Sequence, residues 1–159
     1  EIMNECYRYA ADNGLVVVMD IGRPRNCCWQ VDRLASAVKK YPQITFVVCH
    51  LLAPQRTDTE LLKEALSKLV QPNVYFDLAS LASNQQPEIY PYPTAVSHLK
   101  TAKQTVGADR LMFGTDVPSN LCRDTYANLK DYIINSGVFT EEELEYVFYN
   151  TAQKVYFGG

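Results

Sequence analysis

The stretch Arg110-Leu111-Met112-Phe113-Gly114-Thr115-Asp116-Val117-Pro118 decides how this chain is read. It is a short apolar strand that ends in an acidic residue, and a proline-broken loop follows at once. An Asp before such a loop can simply shape the turn. A carboxylate at the C-terminal tip of a buried parallel strand is also where an α/β barrel keeps its chemistry. The rest of the chain decides between the two.

Three more apolar runs precede it. Leu15 to Met19 follows the turn signal Asn13-Gly14 and ends in Asp20-Ile21-Gly22, Ile44 to Cys49 finishes at His50, and Asn73 to Leu78 is the third. The segments between them read as helices. In Trp29 to Tyr41, residues Val31, Leu34, Ala35 and Val38 fall at i, i+3, i+4 and i+7, and Pro42 closes the stripe. Thr57 to Val70 opens on Thr57 and Glu60 at capping-box spacing, with Leu61, Leu62, Ala65, Leu66 and Leu69 as its apolar face. A loop from Ser83 to Pro93 leads to a helix ending near Gly107, and another helix spans about Asp124 to Ser136. A last one begins at Thr140 with Glu143 as a second capping box and runs to Phe157, while Ile2 to Ala11 supplies an opening helix.

Four apolar strands, each followed by a helix, imply parallel pairing with both faces covered. Right-handed crossovers then leave a doubly wound sheet or part of a (β/α)8 barrel. The first strand–helix junction has neither G-x-G-x-x-G nor G-x-x-x-x-G-K-[ST], so a nucleotide-binding sheet lacks its usual signature.

Asp20, His50 and Asp116 then stand at equivalent tips of three strands. In one parallel sheet those tips share an edge, so residues far apart in sequence can converge. Strand alternation would turn His50 inward with Val48 and Phe46, and Asp20 inward with Val18 and Val16. Imidazole and carboxylates meeting there are the ingredients of a metal site that activates water. Asp77 and Ser80 flank the end of the third strand at an odd offset, which favours Ser80 as the pocket residue. Arg23, Arg25 and Arg56 follow these tips and could grip a substrate carboxylate by a bidentate fork, though solvated loop charge is the plainer account. His98 reads as a surface residue, and the adjacent Cys27-Cys28 as ordinary packing.

Composition narrows the classes. A chain of 159 residues with 47% hydrophobic content supports one sizeable core. A net charge of −3 offers no basic footprint for nucleic acid or an anionic membrane. No apolar run approaches the roughly 20 residues that span a bilayer. Five cysteines without C-x-x-C spacing argue against a disulfide framework and a structural zinc site, and favour a reducing, cytoplasmic setting.

At these residues the chain resembles the C-terminal half of the amidohydrolase-related family, the metal-dependent TIM-barrel hydrolases and decarboxylases. Phe46-Val47-Val48-Cys49-His50-Leu51 is similar to that family's sixth strand, Asn73-Val74-Tyr75-Phe76-Asp77-Leu78-Ala79-Ser80 to the seventh, and Phe113-Gly114-Thr115-Asp116-Val117-Pro118 to the eighth. The ending Tyr149-Asn150-Thr151-Ala152-Gln153-Lys154-Val155-Tyr156-Phe157 resembles its closing helix. The resemblance implies an α/β fold of parallel (β/α) units, strands five to eight of a TIM-type barrel, with residues 1–159 as one partial domain.

It also implies roles. Asp116 would bind a divalent metal, zinc or else manganese, and take a proton from water. His50 would bind the metal or polarise a small-molecule substrate. Asp20 stands where the family has a metal-binding His, and His-x-His is absent; carboxylate is a competent ligand for zinc or manganese. Strands one to four would then belong to a parent of about 250 residues or more. The expected activity is hydrolysis of a small organic acid or amide, with a decarboxylase and a metal-free scaffold as alternatives. A half barrel would expose two strand edges and an open inner face, inviting the missing half or a second copy.

Overall fold

The computed structural model describes residues 2–158. Strands β1 (Val17–Met19), β2 (Phe46–Val48), β3 (Val74–Asp77) and β4 (Leu111–Met112) form one sheet in the order β1-β2-β3-β4. Every neighbouring pair is parallel. A doubly wound sheet reverses its strand order at a switch point. This one never reverses, so right-handed crossovers set the helices on one face, as in a segment of barrel.

Those helices are α1 (Ile2–Asp12), α2 (Val31–Lys40), α3 (Thr59–Leu69), α4 (Pro93–Val106) and α5 (Tyr126–Ile134). The main core joins Phe46, Val48, Phe76 and Leu111 of the sheet to Leu34, Val38, Leu62, Leu66, Leu99 and Ile133 of the helices. Full burial of each such side chain is worth about 1.5–3 kcal/mol. Tyr7 of α1 meets Phe46 edge-on at 5.7 Å, a geometry aromatic quadrupoles favour.

Phe46 and Val48 therefore face the helices, which reverses the expected alternation of β2. The opposite face carries Val47, Tyr75 and Met112, with Val16 of the β1 approach packed beside them. Val18 pairs in register with Val47 and stays 53% exposed, so the parity expected for β1 holds. The parity for His50 failed because β2 ends at Val48, before the histidine.

The chain closes with α6 (Glu141–Glu145), a π-helical turn over Tyr146–Asn150, and α7 (Thr151–Phe157). This segment alters the expected open inner face. Ala152 and Val155 of α7 pack on Val47, Tyr75 and Met112. The Phe113 N–H at the β4 edge donates to the Val147 carbonyl at 2.7 Å. A helical turn thus occupies one edge, and the outer edge of β1 has no strand partner among the described residues.

The Thr140–Glu143 capping box forms as predicted, with the Glu143 N–H donating to Thr140 Oγ1 at 3.2 Å and the Thr140 N–H to Glu143 Oε2 at 2.8 Å. The Thr57–Glu60 box does not. Helix α3 starts at Thr59 behind Asp58, whose buried carboxylate accepts the Gln55 N–H at 3.0 Å and the Arg25 guanidinium. A carboxylate is a stronger acceptor than a hydroxyl, so the turn closes two residues later than the sequence spacing suggests. Cys27 and Cys28 are both exposed in a turn ahead of α2, so packing does not account for that pair.

His98 is fully buried, contrary to the surface reading. Ala95, His98, Leu99 and Ala102 are the buried positions of α4, so the imidazole lies on the apolar stripe itself. Its Nε2 lies 3.3 Å from Thr59 Oγ1 on α3, and its Nδ1 has no hydrogen-bond partner. Burial pushes its pKa down, and the carboxylates of Asp58 and Glu88 only partly oppose this. The unfolded chain then binds a proton that the folded chain resists, so stability falls with pH below the ordinary imidazole value of about 6.5. Urea titrations between about pH 7 and 5 should show this decline, and His98→Gln should flatten it. An unchanged slope in His98→Gln would place the proton uptake elsewhere.

Candidate active site at the strand tips

After β2 the backbone enters a left-handed turn, with φ of 59° at His50, 47° at Leu51, 67° at Leu52 and 47° at Ala53. Left-handed geometry costs roughly 1–2 kcal/mol for each residue bearing a Cβ. Complete burial of Leu51 and Leu52 offsets much of that cost. The turn is also bonded: the Ala53 N–H donates to the His50 carbonyl at 2.7 Å, and Gln85 Nε2 donates to the Pro54 carbonyl at 2.8 Å.

Asp77, the last residue of β3, links this turn to the next. Its Oδ1 accepts the His50 N–H and the Ala79 N–H, each at 3.0 Å. The Ala79 carbonyl lies 3.3 Å from His50 Nδ1. A carbonyl can only accept, so a hydrogen bond here needs the hydrogen on Nδ1, which in the neutral ring leaves Nε2 its lone pair. Asp77 Oδ1 itself is 3.9 Å from Nδ1, too far for a hydrogen bond.

The tips of β3 and β4 are joined in the same manner. Ser80 and Asp116 both have left-handed backbones, with φ of 58° and 57°. Ser80 Oγ donates to Asp116 Oδ2 at 2.7 Å. A hydroxyl has one proton to give, so Ser80 Oγ accepts in turn from Asn120 Nδ2 at 2.9 Å. Asn120 is buried and also donates to the Thr115 carbonyl at 2.6 Å. Gly114 permits this close approach, since a Cβ there would lie 3.1 Å from that of Ala79.

The structure thus brings His50, Ser80 and Asp116 to one edge and adds Asp77 and Asn120. The sequence offset ranks Asp77 behind Ser80 and gives no sign of Asn120. Asp77 sits in register with inward-facing Tyr75, and Ser80 reaches the same region because its left-handed φ breaks the regular offset; both take part.

Asp20 stands apart. It is exposed, and its Oδ1 accepts the Gly22 N–H at 2.8 Å. Its charge still falls on the same place as the others. The Cys49 thiol is pushed up to about 12, by burial first, then by the charge and hydrogen bond of Asp77, then by Asp20 and Asp116. The negative charge of the strand tips therefore disfavours the thiolate of Cys49.

The arginines divide. Arg25, at φ 69°, is paired with the buried carboxylate of Asp58 and clamps the loop after β1 to the loop after β2. Arg56 Nε lies 3.6 Å from Glu88 Oε1. Arg23 is exposed and has no carboxylate partner among the described residues. A groove of about 450 Å³ between α2 and α3, lined in part by Trp29, Arg33 and Lys68, lies away from these tips.

The donor chemistry of Asp20, Asp116 and His50 suits a divalent cation of hard or borderline character. The number of close donors does not: among the described residues no three His, Cys, Asp or Glu side chains are grouped to hold an ion. These residues alone do not complete a metal shell.

Among solved structures, the chain is similar to an amidohydrolase from Burkholderia multivorans with bound zinc, at 20% identity and a TM-score of 0.82. That match covers 95% of this chain and 55% of the other. Amidohydrolase 2 from Bifidobacterium longum subsp. infantis matches at 20% identity and a TM-score of 0.73, over 96% of this chain and 54% of that one. The 5-carboxyvanillate decarboxylase LigW from Sphingomonas paucimobilis matches at 11% identity and a TM-score of 0.59, over 95% and 52%. At such identities the likeness concerns the fold, a partial TIM-type barrel, and the chain spans little more than half the length of these relatives. No curated protein matches it in sequence. The sequence pattern described as "Amidohydrolase" matches residues 2–158, and the chain belongs to the amidohydrolase family.

Proposed function

We propose that the chain is the strand-five-to-eight part of a metal-dependent hydrolase acting on a small organic acid or amide. The observation that carries this reading is the placement of His50, Ser80 and Asp116 at the tips of adjacent parallel strands, with His50 bonded to Asp77 and Ala79 and Ser80 bonded to Asp116. The whole protein's activity belongs to the proposal, since this chain covers little more than half of its structural relatives.

The chain's own residues divide the work. Asp116 accepts the Ser80 hydroxyl hydrogen bond at Oδ2, which orients the carboxylate and leaves Oδ1 to accept a proton from an attacking water. His50 offers a lone pair at Nε2 while neutral, so in that state it can accept a proton or bind a cation. It can stabilise a developing oxyanion only as imidazolium, a form in which Nδ1 still donates to the Ala79 carbonyl. Of the arginines that follow the strand tips, Arg23 has no carboxylate partner among the described residues and would bind a substrate carboxylate. A divalent cation, zinc or manganese, would supply a Lewis acid for the scissile carbonyl and an acidic water. Asp116, Asp20 and His50 are this chain's donors to it, and the remaining ligands would come from the rest of the protein.

A decarboxylase using the same tips is the second reading. It is favoured by the free Arg23, which suits a carboxylated substrate, and by the likeness to a decarboxylase fold.

Elemental analysis of the intact protein should find about one zinc or manganese per chain, lost in Asp116→Asn. Protein that stays metal-free after incubation with both ions would sink the hydrolase and shift the reading to a binding or scaffold protein. The arginines give a second check. Arg25→Ala leaves the buried Asp58 carboxylate with one amide and should cost about 1–3 kcal/mol of stability. Arg23→Ala should leave the melting temperature unchanged and raise KM. Stability loss on removing Arg23, or none on removing Arg25, would reverse the assignment.

A further inference from the structure

We propose that Asp77 is a positioning residue that sets the orientation and tautomer of His50. The proposal rests on the reading of His50 as a site residue and deepens it. His50 sits just after a strand end in a left-handed turn, where nothing in the strand's own geometry orients its ring. Asp77 supplies that orientation through one oxygen. Its Oδ1 accepts the His50 N–H and the Ala79 N–H together, at 3.0 Å each. The first bond holds the left-handed backbone of His50. The second folds the chain after β3 so that the Ala79 carbonyl faces Nδ1 at 3.3 Å.

The carboxylate is not itself the imidazole's partner, because 3.9 Å separates Oδ1 from Nδ1. It acts through the two amides. The outcome is an imidazole protonated at Nδ1, with the Nε2 lone pair left for the reaction. Placement of Asp77 in the β3 register supports this role. As the last strand residue, pairing with Met112 of β4, it is held by the sheet, while the two N–H groups that donate to it lie beyond the strand ends. The sheet therefore positions the two turns that follow it.

The chain contains two histidines, so long-range proton–nitrogen NMR resolves both rings in the full chain, with the buried His98 as an internal control of the fold. Spectra are taken at about pH 8, above the ordinary imidazole value. In the wild type, His50 should show a protonated Nδ1 and an unprotonated Nε2. Asp77→Ala should convert His50 to a mixture of tautomers while His98 keeps its signals. Asp77→Asn retains an acceptor oxygen and should restore the single tautomer.

A wild-type His50 protonated at Nε2 would overturn the proposal. So would an unchanged His50 in Asp77→Ala, or joint loss of the His50 and His98 signals there, which would make Asp77 a support of the fold. Failure of Asp77→Asn to restore the tautomer would overturn it too. The readout needs no metal and no substrate. An intact protein that stays metal-free after incubation with zinc and manganese, alongside the expected His50 spectra, would defeat the hydrolase reading alone.

Discussion

Everything at the candidate site depends on a sheet that never reverses its winding. Each strand pairs with the next in sequence, and right-handed crossovers return every helix to the same face. The C-terminal tips then lie along one edge, and the loops behind β2, β3 and β4 become neighbours. That is how the His50 amide reaches a carboxylate 27 residues away, and how Ser80 reaches one 36 residues away. A doubly wound sheet would have sent alternate helices to the other face and opened a crevice where the order reverses. Here the second face is free to receive α7, whose Ala152 and Val155 cover Val47, Tyr75 and Met112.

The edge is held by strained backbone. His50, Ser80 and Asp116 each adopt a left-handed conformation although none is glycine. Such residues persist where the surroundings over-determine them. For His50 the surroundings are the Asp77 carboxylate and two buried leucines; for Ser80 and Asp116 they are each other and Asn120. The strain and the hydrogen bonds fall on the same residues. Side chains there point where bonded loops direct them and not where strand alternation would.

That difference explains which expectations survived. The alternation of apolar runs and helical stripes marked the four strands and the helices between them, because hydrophobic period is a local property. The capping box at Thr140 was readable for the same reason: its partners lie three residues apart. The box at Thr57 was not, because Asp58 is claimed by Arg25 from another loop. His98 carried a legible signal that was passed over. It lies at the i+3 position of the stripe Ala95, His98, Leu99, Ala102, and only its polarity argued for the surface.

The sequence pattern by itself determined the parallel α/β class and the placement of Asp20, His50 and Asp116 at strand tips, and the family resemblance implied the barrel-type order. The pattern did so because burial patterns and chain order act over a few residues and leave few topologies open. Tertiary structure alone decided the rest. It turned Phe46 and Val48 toward the helices, put Asp77 and Asn120 among the site residues, joined Ser80 to Asp116, and assigned Arg25 to Asp58. The physical reason is that a side chain's direction beyond a strand end follows from φ at that residue. A donor's choice of acceptor follows from which loops lie side by side, and neither is written in local periodicity.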